Sequence, residues 1–184
     1  MFDIEWLDIK LFYLINNGTQ NKFFDHLMPW ITNRNNWWPV IGAVVFYLLY
    51  FGEKKGRVAV VAIAVAVGIS DYTASSLIKP FIARIRPCNV LEGVNLLVNC
   101  TKAYSFPSSH ASNILALAVA GSYYFRNAMY PLILLAFMVG YSRIYVGVHY
   151  PLDVLGGFVW GGTVAAGVVW VERRIINVAR ASSP

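Results

Sequence analysis

Two serines and a histidine stand where a polar loop turns into an apolar run. Ser108, Ser109 and His110 follow Pro107, and residues 114–121 are mostly apolar. A helix that begins near Ser108 points free backbone N–H groups and the positive end of its dipole at whatever lies above it, which is the environment of an anion site. His110, in the first turn, could give a proton to a bound anion. The alternative is a plain N-cap, in which a serine hydroxyl satisfies those N–H groups and nothing more.

A second cluster, before this stretch, is basic. Lys79 and Arg86 are separated by six residues, and Pro87 follows. Lysine supplies a point charge and arginine a planar fork that matches two phosphate oxygens, so the cluster favours a phosphoryl group; the alternative is a basic patch for lipid headgroups. Arg84 is expected either to touch a second phosphate or headgroup or to stay a solvated charge. Asp71 is expected to be accessory, either as a partner of the basic cluster or as a helix-packing group.

A third cluster pairs a histidine with a carboxylate. His149 stands just before Pro151, a residue that favours the first position of a helix, and Asp153 lies in the same turn. A carboxylate there can accept a hydrogen bond from one ring nitrogen, fix the tautomer and leave the other nitrogen free as a nucleophile. The alternative for Asp153 is a first-turn acid that caps N–H groups. Arg143, which five residues separate from His149, is either a further phosphate ligand or an interfacial residue that snorkels to water.

Composition places these clusters in a membrane protein. Of the 184 residues, 58% are hydrophobic and only 13% are charged, whereas about a quarter are charged in an ordinary soluble domain. We therefore predict an all-α fold, a polytopic membrane bundle with five transmembrane helices in a single domain, residues 1–184. The predicted spans are residues 38–52, 58–78, 109–125, 129–148 and 150–171.

Residues 1–36 are predicted to form an N-terminal segment in the membrane interface. Apolar residues recur at helical spacing before Gly18, which indicates an amphipathic helix. The following apolar run, residues 23–32, is either interfacial or a short sixth span, because Asp25 and His26 interrupt it. His26 is expected to be structural. The acidic start of the chain does not fit a cleaved signal peptide.

Basic turns predict how the bundle is oriented. Residues 53–57, 126–127 and 172–180 are rich in lysine and arginine, and the positive-inside rule places such turns on the cytoplasmic side. The loop 79–107 and the turn at His149 then share the outer side. The three clusters are therefore expected to meet at one outer face, with loop 79–107 as an active-site loop.

The two cysteines, Cys88 and Cys100, both lie in this outer loop. A disulfide is predicted if the loop faces an oxidising compartment, and free thiols packed as small apolar groups are the alternative. The sequence contains no C-x-x-C pair and no clustered histidines, so neither a metal site nor a cofactor is expected.

The three clusters together resemble the signature of the type 2 phosphatidic acid phosphatase family. That signature reads K-x6-R-P, P-S-G-H and S-R-x5-H-x3-D. The first and third parts match in residue type and spacing, and the second differs at Ser109, which replaces glycine but keeps a small residue at the turn. The motifs occupy residues 79–153, under half of the chain, in the order that the family shows.

This resemblance implies a membrane phosphatase that removes a phosphate or pyrophosphate group from a lipid without a metal. By the resemblance, His149 attacks phosphorus and forms a phosphohistidine, His110 protonates the leaving oxygen, and Asp153 orients His149. The remaining motif residues are implied as phosphate ligands: Lys79, Arg86, Ser108, Ser109 and Arg143.

The compact chain resembles bacterial members of the family. The implied substrates are undecaprenyl pyrophosphate, phosphatidylglycerophosphate, phosphatidic acid or the 1-phosphate of lipid A. The implied location is the bacterial cytoplasmic (inner) membrane, with the active site facing the periplasm or the outside, and nucleic acid is not expected as a partner. Two alternatives are a lipid phosphotransferase with the same histidine chemistry and a non-enzymatic anion-binding or transport protein, although the repeated halves typical of transporters are not seen.

Overall fold

The computed structural model describes residues 4–181, with side chains described through residue 178. Within that part, the regular structure is helical and contains no strand. A π-helical turn, Thr73–Ile78, joins α4 to α5. The α-helices in chain order are α1 (Ile4–Asn16), α2 (Lys22–Thr32), α3 (Trp38–Tyr50), α4 (Glu53–Tyr72), α5 (Lys79–Ile82), α6 (Pro87–Val90), α7 (Ser109–Tyr124), α8 (Met129–Tyr145) and α9 (Pro151–Ala181).

Small side chains fill the centre of the bundle. Helix α7 lies against α4, α8 and α9, and one core cluster consists of the buried residues Ala66, Ala116, Ala120 and Ala165. Small residues allow close backbone approach between helices that lipid does not drive together by the hydrophobic effect. This packing brings the start of α7 close to α9, where two of the three sequence clusters lie.

Gly157 sets the approach of α9 to the start of α7. A Cβ atom added at Gly157 would lie 2.5 Å from the carbonyl oxygen of Ser108 and 3.2 Å from the amide nitrogen of Ser112. One turn later, a Cβ at Gly161 would collide with the carbonyl group of Ser112. Because these neighbours are backbone atoms, no side-chain rotation can make room. The glycines of α9 therefore determine where the α7 N-terminus sits.

We expect Gly157→Ala to destabilise the protein by about 1–3 kcal/mol, the usual cost of overpacking a tight contact. Gly167→Ala is the matched control on the same helix, because no atom lies within 4 Å of a Cβ built there. Alanine at that position gains up to about 1 kcal/mol of helix propensity over glycine. Thermal unfolding of the detergent-solubilised variants measures the difference, and equal midpoints for both would contradict the close-packing interpretation.

Three helical stretches are long and apolar enough to cross a membrane: Glu53–Val90, Arg126–Tyr145 and Pro151–Val178. The prediction of an all-α membrane bundle is confirmed at this level, and the count of five spans is not. Helices α3 and α7 contain 13 and 16 residues. At 1.5 Å per residue they extend about 20 and 24 Å, which is less than the roughly 30 Å of a bilayer hydrocarbon core.

The helix that begins with α4 extends further than the periodicity predicts. It continues through the π-helical turn into α5 and ends at Ala83, whose φ of 52° is left-handed. The Ala83 amide donates to the carbonyl oxygen of Lys79 at 2.9 Å. Lys79 therefore lies on a helix, and the irregular part of the predicted loop 79–107 begins after it.

Helix α1 turns its apolar side away from the rest of the protein. Its buried residues are Asp8, Phe12 and Asn16. The large apolar residues exposed on its other side are Ile4, Leu7, Leu11 and Leu14. An outward apolar face is what an interfacial helix presents to the bilayer. The polar positions of α1 that are buried thus meet protein rather than water.

Loop 79–107 is closed by a disulfide and hydrogen-bonded to α1. Cys88 is bonded to Cys100, with their Cα atoms 6.2 Å apart, so the structure contains the predicted disulfide. The side-chain amide of Asn16 donates to the carbonyl oxygens of Asn95 at 2.9 Å and Tyr145 at 2.7 Å. These contacts join the N-terminal helix, the loop and the end of α8.

The basic turns gather at the other end of the bundle. Tyr124, at the end of α7, donates a hydrogen bond to Glu172 in the last part of α9. The ammonium group of Lys55 lies 5.3 Å from the ring centre of Phe125. The segment after α3, the turn after α7 and the C-terminal part of α9 therefore share one end, as the charge pattern predicts.

Candidate active site

Four helix ends meet at the end of the bundle that lies away from the basic turns. They are the C-terminal ends of α5 and α8 and the N-terminal ends of α7 and α9. Charged and polar motif side chains are buried there: Lys79, Arg86, Ser108, Arg143, His149 and Asp153. Burying charged groups is costly unless they are paired or bind a ligand. Their concentration in one place marks this region as the candidate site.

Backbone carbonyls of loop 79–107 hold the two cations of the first cluster. The ammonium group of Lys79 donates to the carbonyl oxygens of Tyr104 at 3.0 Å and Ser105 at 3.3 Å. The Nε of Arg86 donates to the carbonyl oxygen of Ala103 at 2.8 Å. Neither cation forms a salt bridge with any residue of the described part. Both are therefore fixed in position with their charge available to an anion.

Arg143, near the end of α8, is also buried without a carboxylate partner in the described residues. Its Nη1 donates to the hydroxyl of Thr32, at the end of α2. Its Nε has no hydrogen-bond partner among the described residues. The sequence analysis did not place Thr32 in the site, and no local pattern could have done so because 111 residues separate the two side chains.

The hydroxyl of Ser108 is free to bind a ligand. Ser108 is the N-cap residue of α7, yet its side chain makes no capping hydrogen bond. Its Oγ is buried and has no partner within the described part of the chain. The plain N-cap interpretation is therefore wrong for this residue. An unsatisfied buried hydroxyl costs about 1–3 kcal/mol, so a hydrogen-bonding ligand at this helix N-terminus would be stabilised.

Ser109, the position at which the second motif departs from the family signature, starts α7. Its Oγ lies 3.0 Å from the Oγ of Ser75 on the π-helical turn. The added hydroxyl thus bonds to a neighbouring helix, and the turn keeps helical backbone from this residue onward.

Asp153 faces the His149 imidazole, but the predicted hydrogen bond is not formed, because Nδ1 of His149 has no hydrogen-bond partner in the described part of the chain. The Nδ1 of His149 lies 3.4 Å from Oδ2 of Asp153, which is longer than an ordinary hydrogen bond. The same Oδ2 accepts a hydrogen bond of 2.8 Å from the amide of Tyr150. Asp153 thus also caps a backbone N–H, the alternative role given to it. Because Nδ1 faces the carboxylate, Nε2 is the ring nitrogen left for chemistry.

The surroundings of His149 keep its imidazole uncharged. Burial lowers the pKa of His149 well below its usual value, and the positive charges of Arg143, Arg86 and Lys79 lower the pKa further. A neutral imidazole carries the lone pair that a nucleophile needs. The same three cations act electrostatically on His110, and His110 acts on His149. His110 itself is half-buried in the first turn of α7, two residues after Ser108.

Arg84 lies between two carboxylates. Its Nη1 donates to Oδ1 of Asp153 at 2.9 Å, and its Nη2 donates to Oδ2 of Asp8 at 2.6 Å. Neither sequence alternative for Arg84, a second-phosphate contact or a solvated charge, describes this pairing. The sequence analysis left Asp8 out of the site, because the amphipathic pattern of α1 gives no sign of its partner.

Asp71 and His26 are placed outside this group. Asp71 accepts a hydrogen bond of 2.7 Å from the side-chain amide of Asn113 on α7, which fits the helix-packing alternative. The Nδ1 of His26 lies 2.7 Å from the carbonyl oxygen of Lys22, one turn earlier on α2, and this contact is exposed. Among the described residues, no three His, Cys, Asp or Glu side chains form a group that could hold a metal ion.

The model of the PAP2 superfamily matches residues 57–176 of the chain. The chain belongs to the PAP2 superfamily. The lipid A 4'-phosphatase of Bacteroides thetaiotaomicron is 32% identical over 157 residues, which cover 81% of this chain and 70% of that protein. The undecaprenyl-diphosphatase BcrC of Bacillus subtilis is 32% identical over 145 residues, which cover 76% of this chain and 70% of that protein.

The crystal structure of Aquifex aeolicus LpxE superposes on this PAP2 chain with a TM-score of 0.70. The two chains are 28% identical, and the match covers 89% of this chain and 94% of the other. The predicted family is therefore confirmed, and the PAP2 relatives confirm the predicted class of enzyme, a phosphatase. The three motifs lie inside the matched PAP2 region, whereas α1 and α2 precede it.

Proposed function

We propose that this PAP2 protein is a membrane phosphatase that hydrolyses a phosphate or pyrophosphate group from a lipid. The observation that carries the proposal is a set of buried cations without carboxylate partners beside a buried hydroxyl without any partner among the described residues. Lys79, Arg86 and Arg143 have no carboxylate partner in the described part of the chain, and the Ser108 hydroxyl has no partner there at all. A phosphoryl group, with several oxygens and negative charge, would satisfy all of these donors at once.

In the first chemical step, Nε2 of His149 attacks phosphorus. The bond between phosphorus and the lipid oxygen breaks, and His110 gives its proton to that oxygen. The negative charge of the bound phosphate favours the protonated form of His110 that this step needs. Asp153 faces the Nδ1–H of His149 and stabilises the positive charge that develops on the ring.

In the second step, water attacks the phosphohistidine. The proton of the attacking water passes to His110, the bond between phosphorus and Nε2 of His149 breaks, and inorganic phosphate leaves. Both imidazoles return to their starting states. The order of the two steps follows the family that the motifs resemble.

Charge stabilisation in both steps falls to the cations and to the N-terminus of α7. Lys79, Arg86 and Arg143 hold the phosphoryl oxygens, while Ser108 and Ser109 present hydroxyl and backbone donors at the same helix end. Donors fixed before the reaction need no reorganisation, and removing one such donor typically costs about 10²–10³-fold in rate.

The same proposal covers how the chain sits in the membrane. Residues 1–184 act as one phosphatase unit with five transmembrane helices, of which α3 and α7 are short enough to need local bilayer thinning. Residues 1–36 lie in the interface, and loop 79–107 covers the site on the outer side. The membrane is the bacterial cytoplasmic membrane and the site faces the periplasm or the outside. The separation of the basic end from the site supports this orientation.

The substrate is a phosphorylated lipid whose phosphate lies at the membrane surface. The names of the two relatives point to lipid A and to undecaprenyl diphosphate as the first candidates. Phosphatidylglycerophosphate and phosphatidic acid share the same reacting group. Because the donor set recognises the phosphoryl group alone, the choice among them depends on residues outside the motifs.

The test is release of inorganic phosphate from these four lipids by the purified protein in detergent. We expect release from at least one lipid, persistence in EDTA, and inhibition by orthovanadate, which mimics the five-coordinate phosphoryl group. Loss of activity in EDTA would contradict metal-independent histidine chemistry. Transfer of the phosphoryl group to a lipid acceptor, with no free phosphate, would instead favour the phosphotransferase. No turnover with any lipid would overturn the proposal.

A further inference from the structure

The buried side of α1 contributes a carboxylate to the edge of the site. Asp8 has a fully buried side chain, although it lies on a helix whose apolar residues face outward. Helix α1 precedes the region matched to the family, residues 57–176. The three motifs therefore do not account for this carboxylate.

Both oxygens of Asp8 are used. Oδ2 accepts from Nη2 of Arg84 at 2.6 Å, and Oδ1 accepts from the backbone amide of Leu152 at 2.9 Å. Leu152 lies in the first turn of α9, between His149 and Asp153. A single carboxylate thus holds the guanidinium beside the site and the backbone that carries the site residues.

Arg84 extends this contact to the orienting carboxylate. Its Nη1 donates to Oδ1 of Asp153 at 2.9 Å, and its guanidinium carbon lies 4.1 Å from the ring centre of Tyr150. With Oδ1 held by Arg84 and Oδ2 held by the Tyr150 amide at 2.8 Å, the Asp153 carboxylate cannot rotate freely. Its Oδ2 consequently stays toward Nδ1 of His149, 3.4 Å away.

We propose that Asp8 is a positioning residue, which acts through Arg84 to fix the carboxylate that orients the nucleophilic histidine. This role rests on the proposed function of His149 and Asp153. Two carboxylates share the one guanidinium, so Arg84 does not neutralise Asp153 completely. Part of the negative charge of Asp153 remains for the imidazole, which becomes positive during the reaction. Without the Asp8 charge, Arg84 pairs with Asp153 alone and draws it away from His149.

Asp8→Asn is the most informative variant. Asparagine has the same shape and keeps an oxygen for the Leu152 amide, but it lacks the charge and presents an amide to Arg84. We expect kcat for phosphate release to fall about 10- to 100-fold, by analogy with the loss of the outer hydrogen-bond partner of a metal-bound histidine. KM is expected to change by less than about threefold, because Asp8 does not contact the phosphate pocket.

A double-mutant cycle with Asp153→Asn distinguishes an effect of Asp8 that acts through Asp153 from a loss of activity that arises elsewhere in the protein. If Asp8 acts through Asp153, adding Asp8→Asn to Asp153→Asn lowers kcat by no more than about twofold, the scatter of additive effects. If Asp8→Asn lowers kcat by the same factor in the wild-type protein and in Asp153→Asn, the two residues act independently and the proposal is overturned.

Two control variants test whether docking of the N-terminal helices explains the result. Asn16→Ala removes hydrogen bonds that tie α1 to the loop and to α8, and Asp25→Asn removes a carboxylate that accepts from the Tyr145 hydroxyl at 2.7 Å. Both are expected to keep kcat within about threefold of wild type while lowering the unfolding midpoint. A kcat loss in Asn16→Ala equal to that in Asp8→Asn would mean that α1 is only a structural support.

Arg84→Lys tests the same series of contacts, from Asp8 through Arg84 to Asp153, by changing its middle residue. It replaces Asp8→Asn if that variant does not fold. A lysine cannot bridge both carboxylates with two parallel donors, so a similar kcat loss and the same non-additivity with Asp153→Asn are expected. Wild-type protein that releases no phosphate from any lipid would refute the proposed function. Wild-type turnover with undiminished kcat in both Asp8→Asn and Arg84→Lys would refute only the positioning role.

Discussion

Replacing His149 with alanine is expected to lower kcat for lipid phosphate hydrolysis by about 10⁴-fold or more, the scale of losing a nucleophile that acts within a catalytic unit. The reason is that no other described side chain in the pocket has a neutral ring nitrogen backed by a buried carboxylate. Single-turnover measurements on purified protein give the rate. Acid-labile phosphate on the wild-type protein, absent in the variant, identifies the intermediate.

The third histidine of the chain provides the control for this variant. His26 is exposed on α2, and its Nδ1 lies 2.7 Å from the carbonyl oxygen of Lys22, one turn earlier on the same helix. His26→Ala is therefore expected to keep wild-type turnover within about threefold, like other surface substitutions. Full activity in His149→Ala would contradict the assignment of His149 as the nucleophile and therefore the proposed mechanism.

Replacing His110 with glutamine is expected to show an effect that depends on the leaving group. With a lipid phosphate, whose leaving alkoxide needs a proton, kcat should fall about 10²–10⁴-fold, as for loss of a general acid. With p-nitrophenyl phosphate the first step needs no proton donor. One nitrophenolate per enzyme should then appear rapidly, followed by slow turnover because His110 no longer activates water.

Asn113→Ala, three residues further along α7, is the matched control for this experiment. Its amide donates to Asp71 and does not enter the proposed chemistry, so it should show neither the burst nor the leaving-group dependence. If the nitrophenolate burst of His110→Gln were slowed as much as its hydrolysis of the lipid phosphate, that histidine would be assigned to binding rather than to proton transfer.

The placement of the motif residues could be predicted from the sequence because each motif lies at a helix end. Pro151 marks the start of α9 and places Asp153 one turn from His149, and the serines before α7 mark an N-terminus. These are local signals, since capping and turn preferences act over a few residues. The outward apolar face of α1 was predictable from the local spacing of its apolar residues. The disulfide was predictable because the sequence contains two cysteines and both lie in one loop.

The partners that hold the site could not be predicted, because they come from distant parts of the chain. Asp8 meets the amide of Leu152 across 144 positions, and Arg143 meets Thr32 across 111. A buried acid on an amphipathic helix has the same spacing as one that faces water. Only the packing of α1 and α2 against the ends of α8 and α9 distinguishes the two cases.

The lengths of the helices also could not be predicted from the sequence. Apolar composition predicts a span wherever a run is long, but the π-helical turn at Thr73–Ile78 adds residues without a change in hydrophobicity. It carries Lys79 on a helix instead of in the loop. Backbone hydrogen-bond patterns of this kind depend on tertiary contacts that the periodicity does not encode.

The inward side of α1 has a practical consequence for anyone who trims or grafts this enzyme. A fragment cut at the family boundaries would retain every motif residue and still lack the carboxylate of Asp8 and the hydroxyl of Thr32. Chimeras built on such boundaries would transfer the motif residues without the side chains of α1 and α2 that contact Arg84, Leu152 and Arg143 in this protein. Swaps that include all of α1 and α2 would carry Asp8 and Thr32 with them.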